Sequence, residues 1–194
     1  MSGGRQEDLM AMLTGVACVC EQWAAVGAAQ EVPQGSVVSP FQSTYRPGIG
    51  LNAYLLRLAS GLRFEEIEPV FLVALVYLDR LDRSGAPTTV THLTIHRMMA
   101  ACLWASVKFL LDDHHDAATH SRLAGIPARE TRRLEEALLQ RLDWRLNVTS
   151  DDLTTYREAL APVCFAHAAP LVPTRRAFSD GQPRLGGLAL RIAA

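Results

Sequence analysis

Three observations predict an all-α fold. Apolar residues recur at the three-to-four spacing of a helix in one segment after another. No segment shows the strict alternation of apolar and polar residues that is typical of strands. Residues 93–113, LTIHRMMAACLWASVKFLLDD, are apolar on nearly every side of the helix that they would form. Such a helix must be enclosed by others, so we expect it at the centre of the fold.

Four predicted elements precede this central helix. Residues 5–29 predict an N-terminal flanking helix, and residues 30–48, which contain several prolines and glycines, predict an extended connector across the surface. Residues 52–60 predict a short helix, which Gly61 is able to close in a left-handed conformation. Residues 64–81 predict a long helix that is buried on most sides and starts in glutamates, which suit its positive N-terminal end.

The chain after the central helix also reads as helical. Residues 117–124 predict a short helix ended by a glycine, and residues 127–142 predict a longer one with leucines four apart on one face. Thr149 and Asp152 have the spacing of a capping box, which predicts a last helix ending at Ala161, before a proline. Residues 162–194, with scattered prolines and charges, predict a weakly ordered C-terminal tail.

Composition places limits on the class of protein. The 194 residues suffice for one full core, and 49% hydrophobic with 20% charged residues is typical of a globular chain. The formal net charge of -1 gives no reason to expect nucleic acid or an acidic membrane as a partner. No basic segment followed by an apolar run opens the chain, so we do not expect a secretory signal.

Membrane insertion and disulfides are not predicted either. The central segment has the length of a membrane span but carries His96, Arg97 and Lys108, and one Lys or Arg costs about 2.5–3.5 kcal/mol on insertion scales. The four cysteines have no metal-ligand spacing and read as reduced thiols: Cys18, Cys20, Cys102 and Cys164. Together these features predict an intracellular protein, cytoplasmic, nuclear or both.

No constellation of residues predicts catalysis, a metal or another cofactor. His92 and His96 are four apart, but no catalytic glutamate follows in a His-Glu-x-x-His pattern. A glycine-rich phosphate loop and a nucleophile elbow are absent from the sequence. We interpret the histidines as structural or solvated. A metal site stays the alternative for His92 with His96 and for a second group: His114, His115 and His120 near Asp112, Asp113 and Asp116.

Charged residues embedded in apolar helices are the unusual feature of this chain. Asp79, Arg80 and Arg97 fall at or near predicted helix ends, where an internal ion pair can join two helices. Lys108 and Glu135 differ, because the residues around them are able to build an exposed apolar groove. Lys108 must reach solvent along its stem or meet a partner.

Several motifs in fixed order resemble the cyclin box. These are YLDRL at 77–81, His96-Arg97 with an apolar run to Lys108-Phe109, Leu134-Glu135, and LDWRL at 142–146. The chain is most similar to the P/U-type cyclins, whose first box helix contains Tyr-Leu-x-Arg and follows Phe-x-Ser and Pro-x-Ile segments. The matching residues are YLLR at 54–57 with Phe41, Ser43, Pro47 and Ile49.

The resemblance covers about residues 41–161 and departs from the family pattern in places. The family's Lys-Phe-x-Asp-Asp is KFLLD at 108–112, which loses the first acid, and the Gly-Gly-Ile turn is AGI at 124–126. A stretch usually rich in tyrosine and asparagine is HHDA at 114–117. These changes leave the expected fold intact and bear on which kinase is recognised.

The resemblance implies a domain organisation and a set of structural residues. Residues 1–40 would form the N-terminal helix and connector, residues 41–161 a five-helix cyclin box around the buried central helix, and residues 162–194 the tail. The short C-terminal helix then lies at the end of the box. The charged and polar residues of the family signature are Arg57, Asp79, Arg80, His96 and Arg97.

It also implies a function, that of a regulatory subunit of a cyclin-dependent protein kinase in cell-cycle or related control. Lys108 and Glu135 match the pair that contacts the kinase's mobile regulatory helix. Phe109, Leu138 and Leu139 either line the groove or belong to the core. The chain itself would be no enzyme. The alternative is a cyclin-fold adaptor or scaffold that binds a protein other than a kinase.

Overall fold

The computed structural model describes residues 2–28, 39–84, 89–112, 114 and 116–165. Over these residues the backbone forms α-helices and turns and contains no strand, so the all-α prediction is confirmed. Its seven helices are α1 (Ser2–Ala28), α2 (Leu51–Ala59), α3 (Phe64–Arg83), α4 (Ile95–Leu110), α5 (Ala117–Ala124), α6 (Ala128–Arg141) and α7 (Ser150–Phe165).

Helix α4 is the central helix, as its apolar sequence predicts. Every residue from Ile95 to Val107 is buried except Arg97. The helix packs against α2, α3, α5 and α6, and it also touches α1. Five helices, α2 to α6, therefore form the box, and the burial of apolar surface around α4 is its main source of stability.

Helices α1 and α7 flank this box and pack against each other. Length and composition alone would let Gly4–Ala28 cross a membrane, the one such helix among the described residues. Val16, Cys20 and Trp23 are nevertheless buried at three-to-four spacing, which is the pattern of a core-facing helix. This packing against α2, α3, α4 and α7 accounts for the apolar character of α1.

Local signals at helix ends are mostly confirmed. Thr149 and Asp152 form the predicted capping box, with each side chain accepting a hydrogen bond from the other residue's backbone N–H at 3.1 and 3.0 Å. Gly125 adopts a left-handed conformation, φ 66°, after α5. The expectation of a left-handed Gly61 is wrong. The residue that caps the C-terminus of α2, Ser60, is in the right-handed region, and Gly61 does not have a positive φ.

The predicted end of the last helix is also wrong. Helix α7 continues through Pro162 to Phe165 instead of ending at Ala161. A proline there removes one backbone hydrogen bond, but Leu160 and Val163 on either side of it are buried. Packing against α1 and α3 offsets the local cost. The rest of the predicted tail, residues 166–194, lies outside the described residues.

The end of the connector is joined firmly to the box. Residues 39–50 contain no helix, as predicted, and residues 30–38 lie outside the described residues. Phe41 is fully buried, however, so this part of the chain does not simply cross the surface. The N–H of Ser43 donates to the carbonyl of Leu93 at 2.9 Å, which fastens the connector beside the start of α4.

Candidate functional site

Lys108 and Glu135 meet where α4 and α6 pack together. Lys108 lies in the last turn of α4, and its Nζ is 2.5 Å from Oε1 of Glu135 on α6. Leu134 and Leu138, on the same helix as the glutamate, are buried and hold α6 against α4. The lysine side chain is 45% exposed and the glutamate 16%, so this ion pair lies at the rim of the core and remains accessible.

Glu135 has a second partner in its own chain. The indole N–H of Trp104 donates to Oε2 of Glu135 at 3.1 Å, so each carboxylate oxygen has one donor. Trp104 itself is only 4% exposed. The ammonium of Lys108 lies 5.8 Å from the centre of the indole ring, within the range of a cation–π contact. One buried aromatic residue thus contacts both members of the pair.

Two histidines contact the same indole. His120 stacks on it with ring centres 4.7 Å apart, and His114 meets it edge-on at 5.7 Å. The ring Nε2 of the buried His120 lies 3.1 Å from the carbonyl oxygen of Ala100, which is only able to accept, so this nitrogen carries the hydrogen. A histidine that is stacked and hydrogen-bonded in this way is a structural residue.

The apolar residues expected around the pair divide into exposed and buried ones. Phe109 is 45% exposed and follows the lysine directly, and Leu139 is half-buried one turn after the glutamate. Leu138 is completely buried, so the structure makes it a core residue that supports the surface from beneath and not a wall of a groove. Leu110, at 39% exposed, extends the apolar surface at the end of α4.

Trp144 is a candidate that the sequence reasoning missed. It lies in the turn after α6, and its side chain is 67% exposed. Its backbone N–H donates to the carbonyl of Leu139 at 3.0 Å. Asp143 and Trp144 both have positive φ, 52° and 58°, a conformation that bulky residues rarely adopt. Backbone strain around an exposed aromatic side chain is typical of a functional position. The LDWRL motif was the available signal, but spacing alone does not reveal exposure.

We call these residues the exposed α4–α6 surface: Lys108, Phe109, Glu135, Leu139 and Trp144. The surface combines two exposed aromatic side chains, a half-buried leucine and an accessible ion pair. Aromatic residues beside oriented charges are typical of protein-binding surfaces. Its two charged groups, the ammonium of Lys108 and the carboxylate of Glu135, are paired with each other.

The embedded charges on α3 lie elsewhere and join helices. Asp79 is 2% exposed, accepts a hydrogen bond from the hydroxyl of Tyr156 at 2.6 Å and pairs with Arg83. Burial is the main cause that raises the pKa of Tyr156, with the neighbouring Asp79 charge adding to it, so the hydroxyl keeps its proton. Arg80 donates to the carbonyl oxygens of residues 145 and 147 at 3.0 and 2.9 Å. Asp79 thus joins α3 to α7 through Tyr156, whereas its ion pair with Arg83 lies within α3.

His96 and Arg97 fasten the connector at the start of α4. Nε2 of His96 lies 3.1 Å from the carbonyl oxygen of Ile49, and burial lowers the pKa of this imidazole. Arg97 donates to the carbonyl of Pro40 at 3.1 Å and to Glu130 at 2.5 Å. Both residues therefore connect the box to the segment that precedes it.

Arg57 differs from the other signature residues, because its side chain is exposed. Its guanidinium lies 5.2 Å from the ring centre of Tyr54, one turn earlier on α2. Burial raises the pKa of the Tyr54 hydroxyl, which donates to the carbonyl of Ala124 at 3.1 Å. Arg57 therefore covers a tyrosine that ties α2 to the end of α5.

Metal and thiol chemistry find no support among the described residues. Those residues contain no group of three or more His, Cys, Asp or Glu side chains able to hold a metal ion. His92 lies in the turn before α4, so it does not share a helix face with His96, and His115 and Asp113 lie outside the described residues. The cysteines are unpaired, and burial raises the thiol pKa of Cys20 and Cys102, which makes both poor nucleophiles.

Comparisons with known proteins agree with the fold and the motifs. The sequence model of the cyclin family matches residues 8–146. The Nuc-1 negative regulatory protein preg of Neurospora crassa is 31% identical over 137 residues, which are 71% of this chain and 28% of that protein. Cyclin-U4-1 of Arabidopsis thaliana is 31% identical over 124 residues, 63% of this chain and 60% of that protein.

A third relative is named as a cyclin-like protein. The PHO85 cyclin-like protein psl1 of Schizosaccharomyces pombe is 30% identical over 121 residues, 62% of this chain and 49% of that protein. The chain thus spans less than two thirds of the length of each of these relatives. The family match begins within α1, before the predicted start of the box at residue 41. The division of the chain at residues 40 and 161 stays a prediction.

Proposed function

Because the chain belongs to the cyclin family, as one of its P/U-type members, we propose that it binds and activates a cyclin-dependent protein kinase. The observation that carries this proposal is the accessible ion pair between Lys108 and Glu135. Two exposed aromatic residues belong to the ends of the same two helices, Phe109 directly after Lys108 on α4 and Trp144 in the turn after α6. The name of the relative psl1, a PHO85 cyclin-like protein, supports a cyclin-type role.

The mechanism we propose is allosteric and not chemical. The kinase's regulatory helix would lie on the exposed α4–α6 surface, and docking would push that helix inward. Its glutamate would then pair with the lysine that orients ATP, which completes the active arrangement of the kinase. The chain supplies binding energy that favours the active conformation over the inactive one, and contributes no catalytic group of its own.

The two kinds of residue on this surface have different tasks. Phe109 and Trp144 are large and exposed, so their burial would supply most of the binding energy. Lys108 and Glu135 would orient the kinase helix, because a close charge pair at an interface fixes the register of the partner and also adds affinity. The half-buried Leu139, one turn after Glu135 on α6, would fill the space under the docked helix.

The test measures binding of the purified chain to a panel of purified cyclin-dependent kinases. We expect the double variant Lys108→Ala, Glu135→Ala to bind at least about tenfold more weakly than the wild type, and to stimulate kinase activity correspondingly less. The matched control is Arg157→Ala, Glu68→Ala, which removes an interhelical ion pair of 2.6 Å between α7 and α3. Because that pair is away from the α4–α6 surface, the control is expected to bind normally.

Two results would contradict the proposal. If no kinase of the panel binds the wild-type chain, the adaptor or scaffold alternative for a cyclin fold replaces it. If a kinase binds but both double variants bind as well as the wild type, docking uses another face. The proposal implies an intracellular location, cytoplasmic, nuclear or both. The substrate and the cellular process, whether the cell cycle or another, follow from the kinase that is bound.

A further inference from the structure

We propose that Trp104 is a positioning residue for kinase docking, acting through the Glu135 carboxylate that it holds. The inference rests on the proposed function and deepens it, because it adds a buried residue to a surface otherwise defined by exposed ones. Trp104 is 4% exposed and would not touch the kinase. Its effect would be to decide where the charges of the docking pair lie before the partner arrives.

The first step is the division of the carboxylate between two donors. Oε2 of Glu135 accepts from the indole of Trp104 at 3.1 Å, and Oε1 accepts from Lys108 at 2.5 Å. A carboxylate held only by a 45% exposed lysine would sample several geometries, because exposed ion pairs are weak and costly in side-chain entropy. The indole N–H fixes the plane of the carboxylate and thereby the position of the ammonium.

The second step is that the indole is itself held in place. His120 stacks on one side of it at 4.7 Å, and the carbonyl of Ala100 in turn accepts from the His120 ring at 3.1 Å. His114 adds an edge-on contact at 5.7 Å. A continuous set of contacts thus leads from the backbone of α4 through two rings to Glu135, and it connects α4, α5 and α6.

The third step is the consequence for binding. A partner that meets a fixed ion pair does not have to order it, so less free energy is lost on association. The ring of Trp104 also lies 5.8 Å from the ammonium of Lys108, which holds the lysine over the indole face. Removing only the indole N–H should therefore weaken docking without altering any residue that the partner contacts.

The experiment compares two tryptophan-to-phenylalanine substitutions. Trp104→Phe keeps an aromatic ring against His120 but removes the donor to Glu135. Trp23→Phe is the matched control, since Trp23 is 2% exposed, lies on α1 and donates from its side chain to the carboxylate of Asp82. Both variants lose a buried ring volume and one hydrogen bond to an acid, so they should lose similar stability. We expect Trp104→Phe alone to bind a purified cyclin-dependent kinase about three- to tenfold more weakly.

A double-mutant cycle shows whether Trp104 acts through Glu135. We expect the pair Trp104→Phe, Glu135→Ala to bind no more weakly than Glu135→Ala alone. Additive losses would overturn the inference, and so would normal binding by Trp104→Phe. Should Trp104→Phe fail to fold, His120→Gln tests the same point, since it removes the stacked ring and keeps a donor for the Ala100 carbonyl; we expect about twofold weaker binding.

Different results would overturn this inference and the proposed function. If Glu135→Ala weakens kinase binding but Trp104→Phe binds normally, only the positioning role is wrong. If Glu135→Ala binds normally as well, the α4–α6 surface is not the docking site, and the inference falls together with that mode of docking. Only a wild-type chain that binds no kinase overturns the proposed function itself. The kinase affinities of the wild type and of the three single variants, Trp104→Phe, Trp23→Phe and Glu135→Ala, therefore separate these outcomes.

Discussion

The junction between α3 and α7 and the exposed α4–α6 surface use charged residues in opposite ways. At the first, Asp79 is 2% exposed and is satisfied by Tyr156 and Arg83. At the second, Lys108 is 45% exposed, and its partner Glu135 accepts a hydrogen bond from the buried Trp104. Both charges interrupt helices that are otherwise apolar, so the sequence pattern around them is similar.

The difference teaches that the surroundings of an embedded charge decide whether it stabilises the fold or is suited to a partner. Around Asp79, donors from α3 and α7 close the site around a carboxylate that is 2% exposed. Around Lys108, the ion pair stays accessible, and the exposed Phe109 follows the lysine directly. A closed site stabilises the fold, whereas an accessible one with uncovered aromatic residues is suited to a partner.

The largest expected effect is on the closed site. Asp79→Ala leaves the buried hydroxyl of Tyr156 without its acceptor, and we expect it to lower the free energy of unfolding by about 2–4 kcal/mol. Urea denaturation of the purified chain measures this. Asp143→Ala serves as control, because that carboxylate is exposed, and it should cost less than about 1 kcal/mol. Equal losses in the two variants would refute a closed, stabilising site.

The next prediction is that Trp144 contributes to kinase affinity and not to the stability of the fold. Trp144→Gly removes an exposed ring and places a residue without a Cβ at φ 58°. We expect kinase affinity to fall about tenfold while the free energy of unfolding stays level or rises by up to about 1 kcal/mol. Calorimetric binding and denaturation curves on the same sample test both halves. A large loss of stability would mean that Trp144 belongs to the core.

A third prediction concerns the pH dependence of the fold at His96. Burial is the main cause that lowers the pKa of this imidazole from 6.5, against a hydrogen bond to Ile49 that raises it, with Arg46 also lowering it. The unfolded chain therefore binds more protons below about pH 6.5, so stability should decrease as pH falls through that value. His96→Gln should show a shallower decrease, by at most about 1.4 kcal/mol per pH unit. Identical slopes in urea titrations between pH 7 and pH 5 would contradict this role of His96.

The smallest effect is expected for the exposed ion pair of Arg157 with Glu68. Its side chains are 54% and 46% exposed, so removing the pair should change the free energy of unfolding by less than about 1 kcal/mol. The change should shrink further in high salt, because exposed charges are screened. Denaturation curves at low and high ionic strength measure it. A larger, salt-independent loss would place this pair with the closed site.

Much of the fold follows from local signals in the sequence. The enclosed position of α4 is predictable because almost every residue between Ile95 and Val107 is apolar, and such a helix is stable only inside other helices. The capping box of Thr149 and Asp152 marks the start of α7 for a similarly local reason. Its continuation through Pro162 was not predictable, since packing of that turn against α1 and α3 overrides the preference of proline.

The candidate site was predictable only in part. Lys108 is conspicuous in its apolar helix, but its pairing with Glu135, 27 positions along the chain, was expected from the family resemblance and not from spacing. The hydrogen bond from Trp104 depends on how α4 and α6 cross, which no local pattern encodes. The exposure of Trp144 depends on two left-handed residues in a turn that contains no glycine.

The contrast between the two regions is tested most directly by measuring unfolding free energy and kinase affinity for the same two variants. Asp79→Ala should lose stability and keep the affinity of its folded fraction for a purified cyclin-dependent kinase. The double variant Lys108→Ala, Glu135→Ala should lose affinity, at least about tenfold, and should lose less stability than Asp79→Ala, about 1–2 kcal/mol, because the indole of Trp104 loses the carboxylate to which it donates. If both variants lose stability and neither loses affinity, the α4–α6 ion pair is structural and the proposed docking surface is wrong.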